Sequence, residues 1–323
     1  MPATLTDVAR RASVSLATAS RAFSDPDRLA VATRQRVVAA AAELGYESPS
    51  LPATRTIGVV VPDVANPVFA SLLKSIHDQA WHGRHQLALV STNEEPGRER
   101  EALERLAGSA SGIILVSPRL PAEQIAPTAA RTAMVVINGQ TDGAAGVLLD
   151  ATDGIAQAVE HLHALGHRHI VYVPGPAGSW ADRNRQEAVA TNCARWDIEF
   201  TAVGSQAAAV SGGRAAAAPV LASRATAVLA YNDLVALGVR AGALGLGRHC
   251  PEDLSVIGID DLEIAAESDP PLTSVRVAIT QSGTLAVDLL LSRIDGKSPS
   301  ESAVRLDSQL IVRASTAPPR TAA

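Results

Sequence analysis

At 323 residues the chain has room for two or three globular units of about 100–200 residues each, and 47% hydrophobic against 19% charged residues supplies a core and excludes wholesale disorder. Only 3% of the residues are aromatic, so Ala, Val, Leu and Ile must build that core. The formal net charge of −5 excludes a uniformly basic polyanion binder. The charge is uneven: residues 1–55 carry Arg10, Arg11, Arg21, Arg28, Arg34, Arg36 and Arg55 against Asp7, Asp25, Asp27, Glu43 and Glu47, a balance of +2 that leaves −7 for the rest.

No apolar run approaches the roughly 18–20 residues of a bilayer span. The opening MPATLTDVARRASVS lacks an apolar signal core. Cys193 and Cys250 are too few for a disulfide framework and lack metal-ligand spacing. A reduced, cytoplasmic protein without membrane partner, metal or cofactor is expected.

Residues 4–45 read as short helices. Thr4 or Thr6 can cap the first, with Asp7 at its positive end and Val8, Ala9 and Ala12 as its apolar stripe. Residues 13–15 break it, and Ser15 is a suitable N-cap for a second helix, LATASRAF. A third, about 32–44, stops at Gly45. This order is the helix-turn-helix pattern. The polar set Ser15, Thr18, Ser20 and Arg21 surrounds Leu16 and Ala17 near the second helix's start. Hydroxyls and amides there can bind phosphates, Arg can reach a guanine edge, and Leu16 and Ala17 suit thymine methyls. The plainer alternative is a solvated helical cap.

From Ile57 the pattern changes to short apolar runs: 57–61, 86–90, 112–116, 133–137, 169–173, 227–231 and 255–259. Helical stretches lie between them at 67–82, 97–107, 152–165, 181–195 and 232–244. Continuous apolar strands with interleaved helices predict α/β architecture with parallel sheets covered on both faces. Ligands in such folds sit beyond the carboxyl ends of the strands. Those ends carry Asn66 to Phe69, Asn232 with Asp233, and Asp260 with Asp261, while Arg185 on a following helix supplies a forked donor. The set suits a polyhydroxylated or heterocyclic ligand. Helix capping is the competing role for Asn66, Asp153, Asn232 and Asp260.

Three other motifs carry little. Ser71-Leu72-Leu73-Lys74 matches an acylase S-x-x-K but lies in an amphipathic helix with no K-T-G downstream. His161, His163, His167 and His169 could suggest zinc, yet they straddle a helix end and a strand start and read as pH-sensitive surface histidines. GALGLG at 242–247 has the wrong order for a dinucleotide loop, and no G-x4-G-K-[ST] occurs. No catalytic residue is indicated.

The strings say more than the chemistry. T-L-x-D-V-A-x-x-A-x-V-S-x-A-T-x-S-R (Thr4 to Arg21), T-R-x-R-V (33–37) and E-L-G-Y (43–46) resemble the DNA-binding head of the LacI/GalR family of bacterial transcription regulators. I-G-V-V-V-P-D…N-P-V-F (57–69), H-L-x-A-L-G-H-R (161–168), N-D-x-x-A-L-G (232–238), P-E-D-L-S-V-I-G-I-D-D (251–261), P-P-L-T-S-V (270–275) and V-R-A-S-T-A-P (312–318) resemble the effector core of that family, in order along nearly the whole chain. The resemblance implies a helix-turn-helix domain over 1–47, a linker over 48–56 and a periplasmic-binding-protein-like core over 57–323. The core would hold two doubly wound parallel-sheet subdomains, about 57–157 with 279–307 and about 158–278 with 308–323.

It also implies roles. Ser15, Leu16, Ala17, Thr18, Ser20 and Arg21 would read half of a palindromic double-stranded DNA operator, with Thr4, Thr6 and Thr33 on phosphates. Arg185, Asn232 and Asp260 match the family's ligand contacts, faced across a cleft by Phe69 and Asp150. A sugar is the expected effector; nucleosides and purines suit the same groups. The chain departs from the family at three positions: Ser13 replaces the turn glycine, Ala30 replaces a serine cap, and Ala188 stands where Gly is common.

The join between Tyr46 and Ile57, ESPSLPATRT, lacks the family's A-R-x-L hinge segment, and Pro52 opposes an interior helical turn. Leu51 is the residue left to act as a minor-groove wedge. The terminal STAPPRTAA carries no heptads, so a homodimer is expected. The resulting expectation is a ligand-responsive repressor and not an enzyme; the competing class is an intracellular solute-binding protein with vestigial DNA binding.

Overall fold

Thr4 opens the first helix, α1 (Leu5–Arg11), with a reciprocal cap. Its hydroxyl accepts from the Asp7 amide, and the Asp7 carboxylate accepts from the Thr4 amide at 3.0 Å. After a turn through Ser13, at φ +53°, the Ser15 hydroxyl accepts from the Thr18 amide at 3.1 Å and starts α2 (Leu16–Ser24). The third helix, α3 (Val31–Leu44), begins at Ala30 without a side-chain cap and ends at Gly45 in the left-handed region, φ +61°. The core between them is Val8, Ala9, Ala12, Ala19, Ala22, Val37, Ala40 and Ala41. Such small side chains contribute about 0.8 kcal/mol per buried methylene-sized group, so caps and turns weigh heavily in this unit's stability.

This is a computed structural model, and it describes residues 3–24, 29–46, 55–297 and 303–320. The chain divides into two compact units, 1–55 and 56–323. Leu51 and the linker over 48–54 lie outside the described residues.

The larger unit runs β1 (Thr56–Val61), α4 (Pro67–His82), β2 (Gln86–Ser91), α5 (Pro96–Ala107), β3 (Gly112–Val116), α6 (Ala122–Ala129), β4 (Met134–Ile137) and β5 (Ala145–Leu149). It continues through α7 (Thr152–Leu165), β6 (His169–Val173), α8 (Trp180–Arg195), β7 (Glu199–Ala202), α9 (Val210–Ala222), β8 (Ala227–Ala230), α10 (Asp233–Gly245), β9 (Ser255–Asp260), α11 (Glu263–Ala266) and β10 (Thr273–Val277). The last elements are α12 (Ile279–Ile294), β11 (Ala303–Leu306) and β12 (Ser308–Ile311).

The strands form two six-stranded sheets, β11-β5-β4-β3-β1-β2 and β12-β10-β9-β8-β6-β7. The first is parallel throughout. The second departs from the all-parallel expectation, because β12 runs antiparallel to β10. The seven apolar runs are strands. Five further strands had no such run. The edge strands β7, β11 and β12 are half-exposed and cannot be continuously apolar. In β10 the outward Arg276 interrupts the buried residues. β5 is fully buried, but only 138–144 separate it from β4, with no helix to mark it.

The chain passes between the sheets three times, near 150–152, 277–279 and 306–308. The first passage falls a few residues ahead of the boundary, about 157, that the resemblance implies. Helix α7 already packs on the second sheet from its first turn, where the Gly154 amide donates to the Ser308 hydroxyl at 3.0 Å. A Cβ at Gly154 would stand 2.3 Å from Val275, so a side chain there would push the helix off the sheet. A continuous apolar core, from Ile57 and Val59 to Tyr172 and Leu229, links both sheets through these passages.

Candidate functional site

The carboxyl ends of the two sheets meet in a cleft, and α8 brings Arg185 to it. Ser179 caps this helix by accepting from the Asp182 amide at 3.2 Å. The Asp182 carboxylate in turn accepts from Tyr172 Oη at 2.9 Å and the Gly175 amide at 2.8 Å, pinning the helix start to β6. One turn on, Arg185 donates to the Tyr231 carbonyl at 2.6 Å, lies 4.9 Å over the Tyr231 ring and reaches Asp260 at 3.3 Å. Both members of that ion pair are buried. Burial pushes the Asp260 carboxyl up to about 6 against the pull of Arg185.

The loop after β9 is fixed from below. Asp261 holds Arg313 and Arg276, each at 2.6 Å, and its amide donates to Ser274 at 3.1 Å. Asp233, wholly buried, accepts from the Leu262 amide at 2.7 Å and the Ser274 hydroxyl at 2.5 Å. Burial, reinforced by the nearby Asp260 charge, pushes its carboxyl up to about 8. Asn232 caps α10 by accepting from the Val235 amide at 2.9 Å.

From the first sheet, Asn66 caps α4 through the Val68 amide at 3.0 Å and sets Phe69 one turn into that helix. Arg119 pairs with Glu94 and donates to the Ser117 carbonyl at 2.7 Å. Its backbone is held by buried Glu99, which accepts from the Arg119 and Leu120 amides at 2.9 and 3.1 Å. Asn138 accepts from the Leu149 amide at 2.9 Å, joining the ends of β4 and β5 just before Asp150. Partial burial alone would raise the Asp150 carboxyl. The Thr152 hydroxyl at 2.5 Å, the Thr152 amide and Arg305 at 2.8 Å together hold it below its ordinary value.

Phe69, Arg185, Asn232 and Asp260 therefore share one cavity, together with Glu94, Arg119 and Tyr231. Asp150 lines an adjoining cavity that Arg185 also borders. Each measures about 30 Å³, roughly one water molecule. The cleft is narrow here: Gly178 approaches the Arg119 carbonyl, which a Cβ at that position would meet at 3.9 Å. Glu94, Ser117, Asn138 and Asp260, each at or just past a strand's end, have φ of +63°, +44°, +54° and +113°. Non-glycine residues in this region cost about 1–3 kcal/mol each, a cost that clusters at ligand sites.

Capping and cleft roles are not exclusive here. Asn66 and Asn232 cap helices and line the cleft, whereas Asp260 ends a strand and caps nothing, and at α7 it is Asp150, not Asp153, whose carboxylate takes the first amide. Glu94, Arg119, Asn138, Tyr231, Trp180 and Arg305 were not singled out from sequence. Four of these follow strand ends, so the strand-end rule applied to every strand would have found Glu94, Arg119, Asn138 and Tyr231.

The histidines are a correction. His167 is buried, not a surface group, and bonds Thr226 at 2.8 Å, Ser255 at 3.1 Å and the Ala317 carbonyl at 3.0 Å. His161 and His169 are half-buried and bond Thr316 and Thr201, each at 2.9 Å, so three of the four tie strands and the C-terminal segment together. No metal-holding group of His, Cys, Asp or Glu occurs among the described residues.

In the N-terminal unit, α2 turns Ala19 and Ala22 inward and leaves Leu16, Ala17, Ser20 and Arg21 exposed, Leu16 by 51%. Ser15, Thr4 and Thr6 are exposed, and Thr18 and Thr33 half-buried. The hydroxyls of Ser15 and Thr18 bond each other at 2.8 Å, and the Thr4 hydroxyl serves its own cap. An exposed Leu flanked by hydroxyls and Arg at a helix start presents apolar and donor groups together on the exposed side of α2.

Among known proteins, the model for bacterial regulatory proteins of the lacI family matches residues 4–49, and that for a periplasmic binding protein-like domain matches 159–316. An HTH-type transcriptional regulator from the aml 5′ region of Streptomyces limosus is 34% identical over 97% of this chain and 94% of its own length. The regulator MalR of Streptomyces coelicolor is 32% identical, covering 98% and 97%. Among solved structures, the Lac repressor dimer bound to operator and an anti-inducer matches with a TM-score of 0.76 at 25% identity, covering 98% of this chain and 100% of that one. The regulator CelR in complex with cellobiose matches at 0.72 and 27%, covering 97% and 99%. A regulator from Enterococcus faecium with bound ribose matches at 0.73 and 28%, covering 82% and 100%.

Proposed function

Because the chain belongs to the LacI family of bacterial transcriptional regulators, we propose that it is a homodimeric repressor whose two heads read a palindromic DNA operator and whose cores answer to a sugar. The division into a head over 1–47, a linker over 48–56 and a core over 57–323 belongs to this reading, as does action in the cytoplasm, where the DNA is. Within the head, Ser15, Leu16, Ala17, Thr18, Ser20 and Arg21 address the base edges and neighbouring phosphates of a half-site. Thr4, Thr6 and Thr33 address phosphates, and Leu51 is the remaining candidate for a groove contact.

In the core, Phe69, Asp150, Arg185, Asn232 and Asp260 hold the effector. The observation that carries this is the convergence, on one cleft between the two sheets, of the buried Arg185–Asp260 pair with Glu94, Ser117 and Asn138, which like Asp260 stand at or just past strand ends with positive φ. Two regulators of this fold have sugars bound, cellobiose in one and ribose in the other. Binding rather than turnover fits, because the relatives are transcriptional regulators. A homodimer is supported by exposed Trp81 and Leu89 on α4 and the edge strand β2, 70% and 49% accessible, and by Leu244, Leu246 and Ile264 around α10 and α11. The effector acts through its differential affinity for two arrangements of the subdomains about the three passages.

Selection of random duplexes on the full-length protein tests the reading. An inverted repeat should emerge, and its affinity should fall with salt at a log–log slope of about −0.9 per phosphate contacted. Retention without an inverted repeat would instead make the chain a solute-binding protein with a vestigial head.

A further inference from the structure

Two slits share one wall. The first is bounded by Phe69, Asn232 and Asp260, and the second by Asp150, Trp180, Asn184 and Arg305; Leu149, Ala181 and Arg185 border both. The cleft is therefore one elongated site, pinched at Arg185. Across its whole length stand three guanidinium groups and three carboxylates, paired one to one: Arg185 with Asp260 at 3.3 Å, Arg119 with Glu94, and Arg305 with Asp150 at 2.8 Å.

Each cation is already neutralised by its own neighbour. At Arg185 and Asp260, both buried, and at buried Arg119, an anionic ligand would have to strip a carboxylate from its partner in a place with little water, and a cationic one would have to displace a guanidinium. Arg305 is exposed and, among the described residues, is held by Asp150 alone. The paired groups keep unused lone pairs and N–H donors, which suit the hydroxyls of an uncharged ligand. Each slit also has an aromatic wall, Phe69 in the first and half-buried Trp180 in the second, with paired carboxylates beside it. An apolar ring face against the aromatic and hydroxyls toward the carboxylates is the same arrangement twice.

We propose that the effector is an uncharged disaccharide, one ring beside Phe69 and Asp260 and the other beside Trp180 and Asp150, with the linkage passing Arg185. This rests on the reading of the core as a sugar receptor. Entry of two rings parts the subdomains about the three passages, since neither slit, at about 30 Å³, has room for a ring.

The test is calorimetric titration of the full-length protein with maltose, cellobiose, trehalose and lactose, their component glucose and galactose, glucose 6-phosphate, and cytidine. One disaccharide should bind at least about tenfold tighter than its component sugar and change tryptophan emission. The Trp180→Ala variant should lose that advantage while binding the monosaccharide as before, and Asn184→Ala, on the same slit, should lower it in the same sense. Thermal melting confirms that both variants fold. A monosaccharide that binds as well as every disaccharide, or a Trp180→Ala loss shared equally by both, would refute the two-ring site and leave the sugar reading intact. Preference for glucose 6-phosphate would refute the uncharged ligand. Binding of cytidine alone, or of no member of the panel, would overturn the sugar reading with it.

Discussion

Arg185 and Asp260 meet at 3.3 Å in the floor of the cleft, both buried and 75 positions apart in the chain. The guanidinium spends one arm on the Tyr231 carbonyl and lies over that residue's ring, so its direction is fixed before a ligand arrives. That is preorganisation: the ordering cost is met in folding rather than in binding.

The pair makes sugar binding pH-dependent. Asp260 titrates at about 6, raised by burial and opposed by Arg185, with Asp233 close by. Above that pH its carboxylate accepts charge-assisted bonds from ligand hydroxyls; below it the group is neutral, one oxygen becomes a donor, and both those stronger bonds and the pairing with Arg185 are lost. Affinity for the best-binding disaccharide should be higher at pH 7 than at pH 5, falling by up to about tenfold per unit below about pH 6. In Asp260→Asn the affinity should be low and flat across the range. An unchanged pH profile in that variant, read by titration calorimetry, would remove Asp260 from the site.

Asp233 predicts a trend in stability. Its folded value of about 8 lies far above the ordinary 3.8, so the native state keeps a proton that the unfolded chain releases. The contribution is therefore complete below about pH 4 and is lost as pH rises toward 8, at no more than about 1.4 kcal/mol per pH unit. Urea unfolding of the wild type should grow easier from pH 5 to 8. Asp233→Asn, which can still accept from the Leu262 amide, should flatten that slope. Parallel slopes for the two proteins would sink the assignment.

The N-terminal unit should be easy to stabilise. Ser13 occupies the left-handed region at φ +53°, and Ala30 starts α3 without a cap. Ser13→Gly relieves conformational strain at the cost of a freer unfolded chain, a net gain of about 0.5–1 kcal/mol. Ala30→Ser supplies the missing acceptor and should add about 1 kcal/mol. Slower hydrogen exchange of the amides of α1 to α3 in the full-length variants is the expected reading. Unaltered exchange in Ala30→Ser would show that water already serves those amides well.

Much of this molecule was legible before folding was considered. The Thr4 cap, the stop at Gly45 and the seven apolar strands follow from local rules, because capping, left-handed termination and continuous burial each leave their mark within a few residues. The strands that escaped were edge strands and β5, whose sequences are half-exposed or lack a flanking helix. Arg185, Asn232 and Asp260 were legible as strand-end polar groups, but their partners were not. Arg305 meets Asp150 across 155 positions, and nothing local in A-V-R-L announces a cleft residue. His167 shows the converse: a histidine beside three others looked solvated, and only the packing of β6 against the C-terminal segment buries it.

The sequence by itself determined the division of labour, a small basic helical head before an acidic α/β core, because charge, periodicity and strand-end polarity are local properties. Tertiary structure alone decided the character of the cleft. Whether a buried arginine attracts an anion or is already satisfied depends on which carboxylate lies within about 4 Å, and that distance is set by the stacking of strands from distant parts of the chain. Three such pairings turn a row of charged residues into a neutral, two-lobed slit.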